Sequence, residues 1–208
     1  MTQPIEDTRA IREVVENWAL WRDAGDWERF ATVWHPDAEM WATWFQGPAQ
    51  AFIDVSREGF NRGVSILHFL GGFTCDISGH RAIAQTKMSI SQRAEVQGVA
   101  VDVLCVGRFY DFFEKRDGHW KIVRRRLIYE KDRMDPLDPS ATLKLDPERL
   151  AQFPEGYRHL GYLQSSIGFK VKDGLPGLRG PAVDKLYAEG KAWLAGSATP
   201  GEALGSGL

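Results

Sequence analysis

The sequence predicts an α+β fold in which helices gathered near the N-terminus cover one face of a curled antiparallel sheet. Two observations carry this. Apolar residues recur at three- or four-residue spacing in the opening segment, from Ile5 to Arg22. Beyond Gly63 the pattern changes to long β-type runs separated by short turn signals, and short links between long strands make an antiparallel meander.

Taken in order, Ile11, Val14, Val15, Trp18 and Trp21 give the first helix its apolar stripe. Gly25 is placed to end it, and Asp26 to cap a second, shorter helix through Trp34, where "HPDA" breaks the pattern. "AEMWATW" reads as a strand, Gln46 to Pro48 as a turn, and Ala49 to Asn61 as a third helix. The meander consists of "SILHFLGGFTCDIS", "RAIAQTKMSISQRAEV", "GVAVDVLCVGRFYDFFEKR" and "HWKIVRRRLIYEK", with turns at "GH", "QG" and "DGH". After Tyr129 prolines appear every few residues and the chain ends Gly/Ser-rich. This predicts a domain over 1–131, a C-terminal extension over 132–195 serving as lid or dimer-wrapping arm, and a disordered tail over 196–208. Within the extension, "YRHLGYLQSSIGF" is apolar enough to dock on the body and "LYAEGKAWLAG" can form a short helix.

With 26 basic and 28 acidic residues, no net field draws the chain to nucleic acid or an anionic membrane. No run is long and apolar enough to span a bilayer, and "MTQPIEDTRA" lacks the features of a signal peptide, so the expected location is cytoplasmic. Cys75 and Cys105 lie inside strand-like runs, as buried thiols of a reducing compartment do. The five histidines have no metal-ligand spacing, and phosphate-cradling or nucleophilic-serine motifs are absent, so no cofactor or metal is expected. Six of the eight tryptophans fall within the first 44 residues, which implies a very aromatic core or an aromatic cavity there.

The strings "WRDAGDWERFATVWHPDAEM", "LHFLGGFTCDISGHRAIAQT" and "VGRFYDFFEKRDGHWKIVRRR" occur in this order over about the first 130 residues. On them the chain resembles the SnoaL-like, scytalone dehydratase-like branch of the nuclear transport factor 2-like superfamily. That branch also includes polyketide cyclases, steroid isomerases and a hexachlorocyclohexane dehydrochlorinase. The resemblance implies a cone-shaped α+β barrel, and an Asp at the end of the first helix paired with a His on the first long strand of the meander. Those positions are Asp23 and His68.

Asp23 is a poorly placed carboxylate for a helix C-terminus unless a partner holds it; the plain alternative is a solvated helix end. Strand alternation puts His68 beside Ile66 and Leu70 on an apolar face, as a catalytic base or as a hydrogen-bonded core histidine. In "KIVRRR" strand alternation puts Arg124 and Arg126 on one face and Arg125 on the other. The resemblance further implies an arginine of the last strand pointing into the cone, for which Arg126 is favoured over Arg124. Solvated strand charges, or pairing with Glu114 and Asp111, are the competing reading for these arginines. Arg108 and Tyr110 share a face as pocket candidates. Trp21, Trp41 and Trp44 are placed nearest the pocket mouth, and Phe69 with Phe73 and Phe109 along its lining. The predicted function is a cofactor-independent lyase of dehydratase type, acting on a hydrophobic, aromatic or polycyclic small molecule and releasing water or another small group such as formaldehyde. A homodimer or homotrimer is expected. An isomerase or cyclase of the same fold, or a non-catalytic binding or assembly module, is the alternative.

Overall fold

The computed structural model describes residues 5–197. Helix α1, Ile5–Ala24, buries Ile11, Val15, Trp18, Ala19 and Arg22, one continuous stripe at helical spacing. Gly25 ends it with φ +72°, a left-handed turn suited to glycine, and a β-carbon there would also press the Phe60 ring at 3.0 Å. Asp26 then caps α2, Trp27–Thr32, accepting from the Arg29 amide at 3.3 Å.

Strand β1 covers Trp34–Trp41, so extended chain begins at Trp34 rather than after "HPDA". Trp34 pairs with Ile122, and the buried His35 ring bonds the Glu114 carbonyl at 2.9 Å. Tertiary pairing thus overrides the local break signal of Pro36. A short β2, Gln46–Pro48, replaces the expected turn, and α3 runs Ala49–Asn61 as the periodicity indicated.

Strands β3 (Ser65–Ser78), β4 (Arg81–Val96), β5 (Val99–Arg116) and β6 (His119–Pro136) form the meander. The six strands lie in the order β2-β1-β6-β5-β4-β3, a curved sheet that does not close. One expectation needs correction: β1 joins β6 in parallel, so the sheet is mixed rather than wholly antiparallel. β1 enters from the helical half of the chain rather than through a hairpin, so nothing obliges it to run against its neighbour.

The helices and the inner sheet face enclose the main core, in which Trp18 touches Phe30, Trp34, Phe52 and Phe109 with ring centroids 5.2–6.4 Å apart. β6 runs through the boundary expected at 131/132, so the extension grows out of a sheet strand instead of following a linker. It then forms α4, Pro147–Ala151, α5, Arg158–Ser166, and α6, Pro181–Leu194. Helix α5 packs on the concave side, with Leu160, Tyr162 and Leu163 in the main core. Helix α6 lies on the opposite face, where Val183, Leu186 and Trp193 pack with Ile83, Tyr110, Phe112, Val123 and Ile128. Of the tail expected over 196–208, residues 198–208 lie outside the described residues.

Candidate active site

Alternation along β3 settles which side chains enter the cone. Ile66, His68 and Leu70 point inward, while Leu67 and Phe69 are 47% and 63% exposed on the other side. The last turn of α1 brings Asp23 against this strand. Its Oδ2 accepts the His68 backbone N–H at 2.5 Å, and its Oδ1 lies 2.8 Å from His68 Nδ1. Arg22 Nη1 is 3.4 Å from the same Oδ1 and donates to the Ile66 carbonyl at 3.0 Å. A carboxylate at the negative end of the helix is therefore held by three N–H groups supplied from α1 and β3.

An acceptor facing Nδ1 assigns the ring proton to Nδ1 and leaves the Nε2 lone pair for other work. The ring stands edge-on to Trp18 at 5.0 Å and tilted to Phe109 at 6.2 Å. Burial pushes the imidazole below its ordinary range; Asp23 acts against this, while Arg22 and Arg125 add to it. His68 is accordingly neutral at neutral pH, the form that can accept a proton.

The imidazole lines an inner hollow together with Trp18, Arg22, Trp44, Phe109 and Tyr129. At ≈30 Å³ the hollow has room for about one or two water molecules. It adjoins a larger cavity of ≈270 Å³, also walled by Phe45, Ser56, Phe60 and Phe169; Arg22, Trp44, Ile66 and Gln92 border both spaces. Asp23 lines neither and stands behind the imidazole. From α5, Leu160 and Gln164 complete the wall, and Gln164 donates to Gln92 at 3.1 Å.

The structure brings Asp23, His68, Trp44 and Phe109 together and disperses Arg126, Arg124, Arg108, Tyr110, Trp21, Trp41 and Phe69. Arg126 lies on the outer face, 4.7 Å from the Trp41 ring and 3.5 Å from Glu189 of α6. Arg124 is also outside, bonded to Glu39 at 2.6 Å. Arg108 bonds Glu130, Gln85 and Tyr187, each at 2.7 Å, and Tyr110 is buried beneath α6. These placements correct the expectation that Arg126, Arg108 and Tyr110 face the pocket. Their shared parity was read properly, but the face they share is the one that α6 covers. Trp21 lines a separate groove between α1 and the β5–β6 turn, Trp41 stacks with the outer arginines, and Phe69 projects outward from β3.

The inward arginine is Arg125. Fully buried, it makes a two-point ion pair with Asp111 at 2.6 and 2.7 Å, its guanidinium 3.8 Å from the Phe109 ring centre and 4.3 Å from that of Trp18. Alternation along "RRR" offered it as the odd one out. Arg22, Gln92, Gln164 and Tyr129 had no sequence signal, since each reaches the cavity through tertiary packing. His159 and Asp132 repeat the two-point pattern, Nδ1 to Oδ1 at 2.8 Å and the Leu160 amide to Oδ2 at 2.7 Å, and so tie the start of α5 to β6. Among the described residues no group of three or more His, Cys, Asp or Glu is gathered as a metal site.

Fold and cavity together define an α+β protein of the cone type, with a small pocket between a curved sheet and its covering helices. The chain belongs to the SnoaL-like domain family, which matches residues 3–126. It is 40% identical over 197 residues to a PEP2-like protein of Fusarium vanettenii and 37% identical over 197 residues to the pea pathogenicity protein 2 of the same fungus. Each alignment covers 89% of this chain and 84% of the relative, so it extends beyond the family match. Among solved structures, a scytalone dehydratase-like protein of Novosphingobium aromaticivorans has TM-score 0.53 at 20% identity, covering 67% of this chain and 97% of that one. A hexachlorocyclohexane dehydrochlorinase of Novosphingobium barchaimii has TM-score 0.51 at 20% identity, covering 68% and 97%. At such identity these two show the shared fold.

Proposed function

We propose that this chain is a lyase in which His68 removes a proton from a compact, mainly apolar substrate and a small leaving group departs from the neighbouring carbon. The observation that carries the reading is the imidazole of His68, tethered at Nδ1 by Asp23 and bordering a hollow at the end of an aromatic cavity. In the step, Nε2 takes the proton, the C–H electron pair becomes the new double bond, and the leaving group departs with its own bonding pair. The imidazolium then returns its proton to that group, so that loss of hydroxide becomes loss of water. Asp23 keeps Nε2 turned to the substrate and stabilises the imidazolium between the two transfers. Base and orienting acid both come from side chains, so the reading needs no cofactor.

Cavity size narrows the substrate. The outer space of ≈270 Å³ lies near the lower end of ordinary ligand pockets, which suits a molecule of one or two rings with its reacting end turned to the inner hollow. A screen of aromatic β-hydroxy ketones and dihaloalkanes, run on the wild type and on His68→Ala, tests the proposal. Turnover should fall about a hundred- to ten-thousand-fold in the variant. Activity that survives the substitution rules the mechanism out.

The narrowness of the inner hollow, ≈30 Å³, favours a second reading as a small-molecule binding module. Saturable binding of the same aromatic compounds with no turnover by wild type would select it. Product carrying solvent deuterium at a new carbon would instead select an isomerase built on the same base.

A further inference from the structure

Helix α1 turns the stripe of Ile11, Val15, Trp18, Ala19 and Arg22 inward, and its opposite side faces solvent. On that side stand Ile5, Arg9, Arg12, Glu13, Glu16 and Leu20, all exposed and at helical spacing. Ile5 is 85% exposed and Leu20 67%, the two highest values of any large apolar side chain among the described residues. A lone exposed leucine or isoleucine is ordinary, but these two close the ends of one charged helix face.

The face is self-complementary about a point midway between Arg12 and Glu13. Ile5 and Leu20 lie equally far on either side of it, about 22 Å apart along the helix axis. Arg9 and Glu16 are equidistant from it in the same way, and so are Arg12 and Glu13. A second α1 laid antiparallel across the first therefore sets Ile5 against the partner's Leu20, and Arg9 and Arg12 against the partner's Glu16 and the partner's Glu13. A two-fold axis makes each of these contacts twice. A parallel helix would set like charges side by side. Arg12 and Glu16 already meet at 2.7 Å within one helix, but both are largely exposed, and such a pair contributes little until a partner covers it. The other exposed apolar pair, Leu67 and Phe69 of β3, has the neutral Ser91 and Ser89 opposite it on β4, which fix no direction for a partner.

We propose that the outer face of α1 is the docking surface for a second copy of this chain, packed antiparallel about a two-fold axis through the middle of the helix. One helix face covers less than the roughly 1,200 Å² at which specific interfaces begin, so the dimer is weak, with Kd on the order of 10 μM. The crossed charges set the direction of the two helices and make the association sensitive to salt. None of the six residues lines the cavity beside His68, so association and catalysis are tested separately.

Sedimentation equilibrium on the full chain, from about 1 μM to about 300 μM, should show wild type passing from monomer to dimer. Leu20→Glu should weaken the dimer about tenfold or more, and so should raising the salt from about 0.05 M to about 0.5 M. Arg9→Glu with Arg12→Glu makes the charged face wholly acidic, and Glu13→Arg with Glu16→Arg makes it wholly basic. Each double variant should stay monomeric alone, and an equimolar mixture of the two should form a heterodimer. In oxidised glutathione, Ile5→Cys mixed with Leu20→Cys should give an intermolecular disulfide that neither variant gives alone, which reads the antiparallel direction; Cys75 and Cys105 are buried and add little background. All six positions are exposed, so circular dichroism should match wild type, and the cysteine pair decides should a charge variant unfold. Wild type that stays monomeric at about 300 μM, double variants that do not associate on mixing, or a dimer lost in Phe69→Glu but kept in Leu20→Glu overturns the proposal.

Discussion

The carboxylate of Asp23 meets His68 at two points, the backbone amide and Nδ1, so one side chain fixes both the strand and the ring. Orientation and tautomer depend on a single acceptor. In Asp23→Asn the amide N–H can face Nδ1 and favour the other tautomer, turning a protonated Nε2 towards the substrate. Turnover should fall by about a hundred- to ten-thousand-fold with little change in KM. Asp23→Ala should in addition lower stability by about 1–3 kcal/mol, because the His68 amide and ring lose their partner. Parallel kinetics and urea titrations check both values; an Asp23→Asn variant with wild-type kcat removes Asp23 from the mechanism.

Burial holds both His68 and His35 below the ordinary imidazole range. In the folded protein they therefore stay neutral at a pH where the unfolded chain takes up protons. Below about pH 6.5 the unfolded state binds more protons, so stability should fall as pH is lowered through this window and level off above it. Urea midpoints measured across the window test this. His68→Gln should flatten the dependence, and a midpoint independent of pH contradicts it.

Asp111 and Arg125 form a completely buried pair, with the Asp111 carboxyl raised by its burial against the lowering influence of Arg125. Removing one partner strands the other. Arg125→Met should destabilise by about 3–5 kcal/mol, whereas Asp111→Leu combined with Arg125→Met should cost far less. A double-mutant cycle by chemical denaturation reads the coupling directly, and additive single effects would refute it.

Helix α6 crosses the outer face so closely at Gly190 that a β-carbon there would lie 1.9 Å from the Tyr110 hydroxyl oxygen. Tyr110 is packed against Phe112 and Tyr187 and has little room to turn. Gly190→Ala should cost about 1–3 kcal/mol through overpacking, and Tyr110→Phe should recover part of that by removing the oxygen. Thermal unfolding of the two single variants and the double variant measures the rescue; its absence would show that α6 shifts freely on the sheet.

How far the site was legible follows from which signals are local. Periodicity located α1, α3 and the meander because hydrophobic spacing is a property of neighbouring residues. Alternation correctly separated Arg125 from Arg124 and Arg126, and it put Arg108 and Tyr110 on one face. It could not say which set faces inward. That depended on α6 docking on the outer face, an interaction between segments far apart along the chain, with no trace in strand parity. The start of β1 was missed for a related reason: Trp34 and His35 become strand by pairing with β6 and bonding the Glu114 carbonyl.

By itself the sequence determined the class of fold and the order of its main elements, and its resemblance to a known family marked the two positions at which an acid and an imidazole could meet. It could do so because amphipathic period, turn chemistry and motif order are written along the chain. Tertiary structure alone decided that Asp23 and His68 lie within hydrogen-bond reach, that Arg22 and Arg125 rather than Arg126 bring charge to the interior, and that α5 closes the hollow. Those outcomes depend on which faces find each other when the sheet curves, and burial then sets the hydration and charge state of every side chain trapped between them.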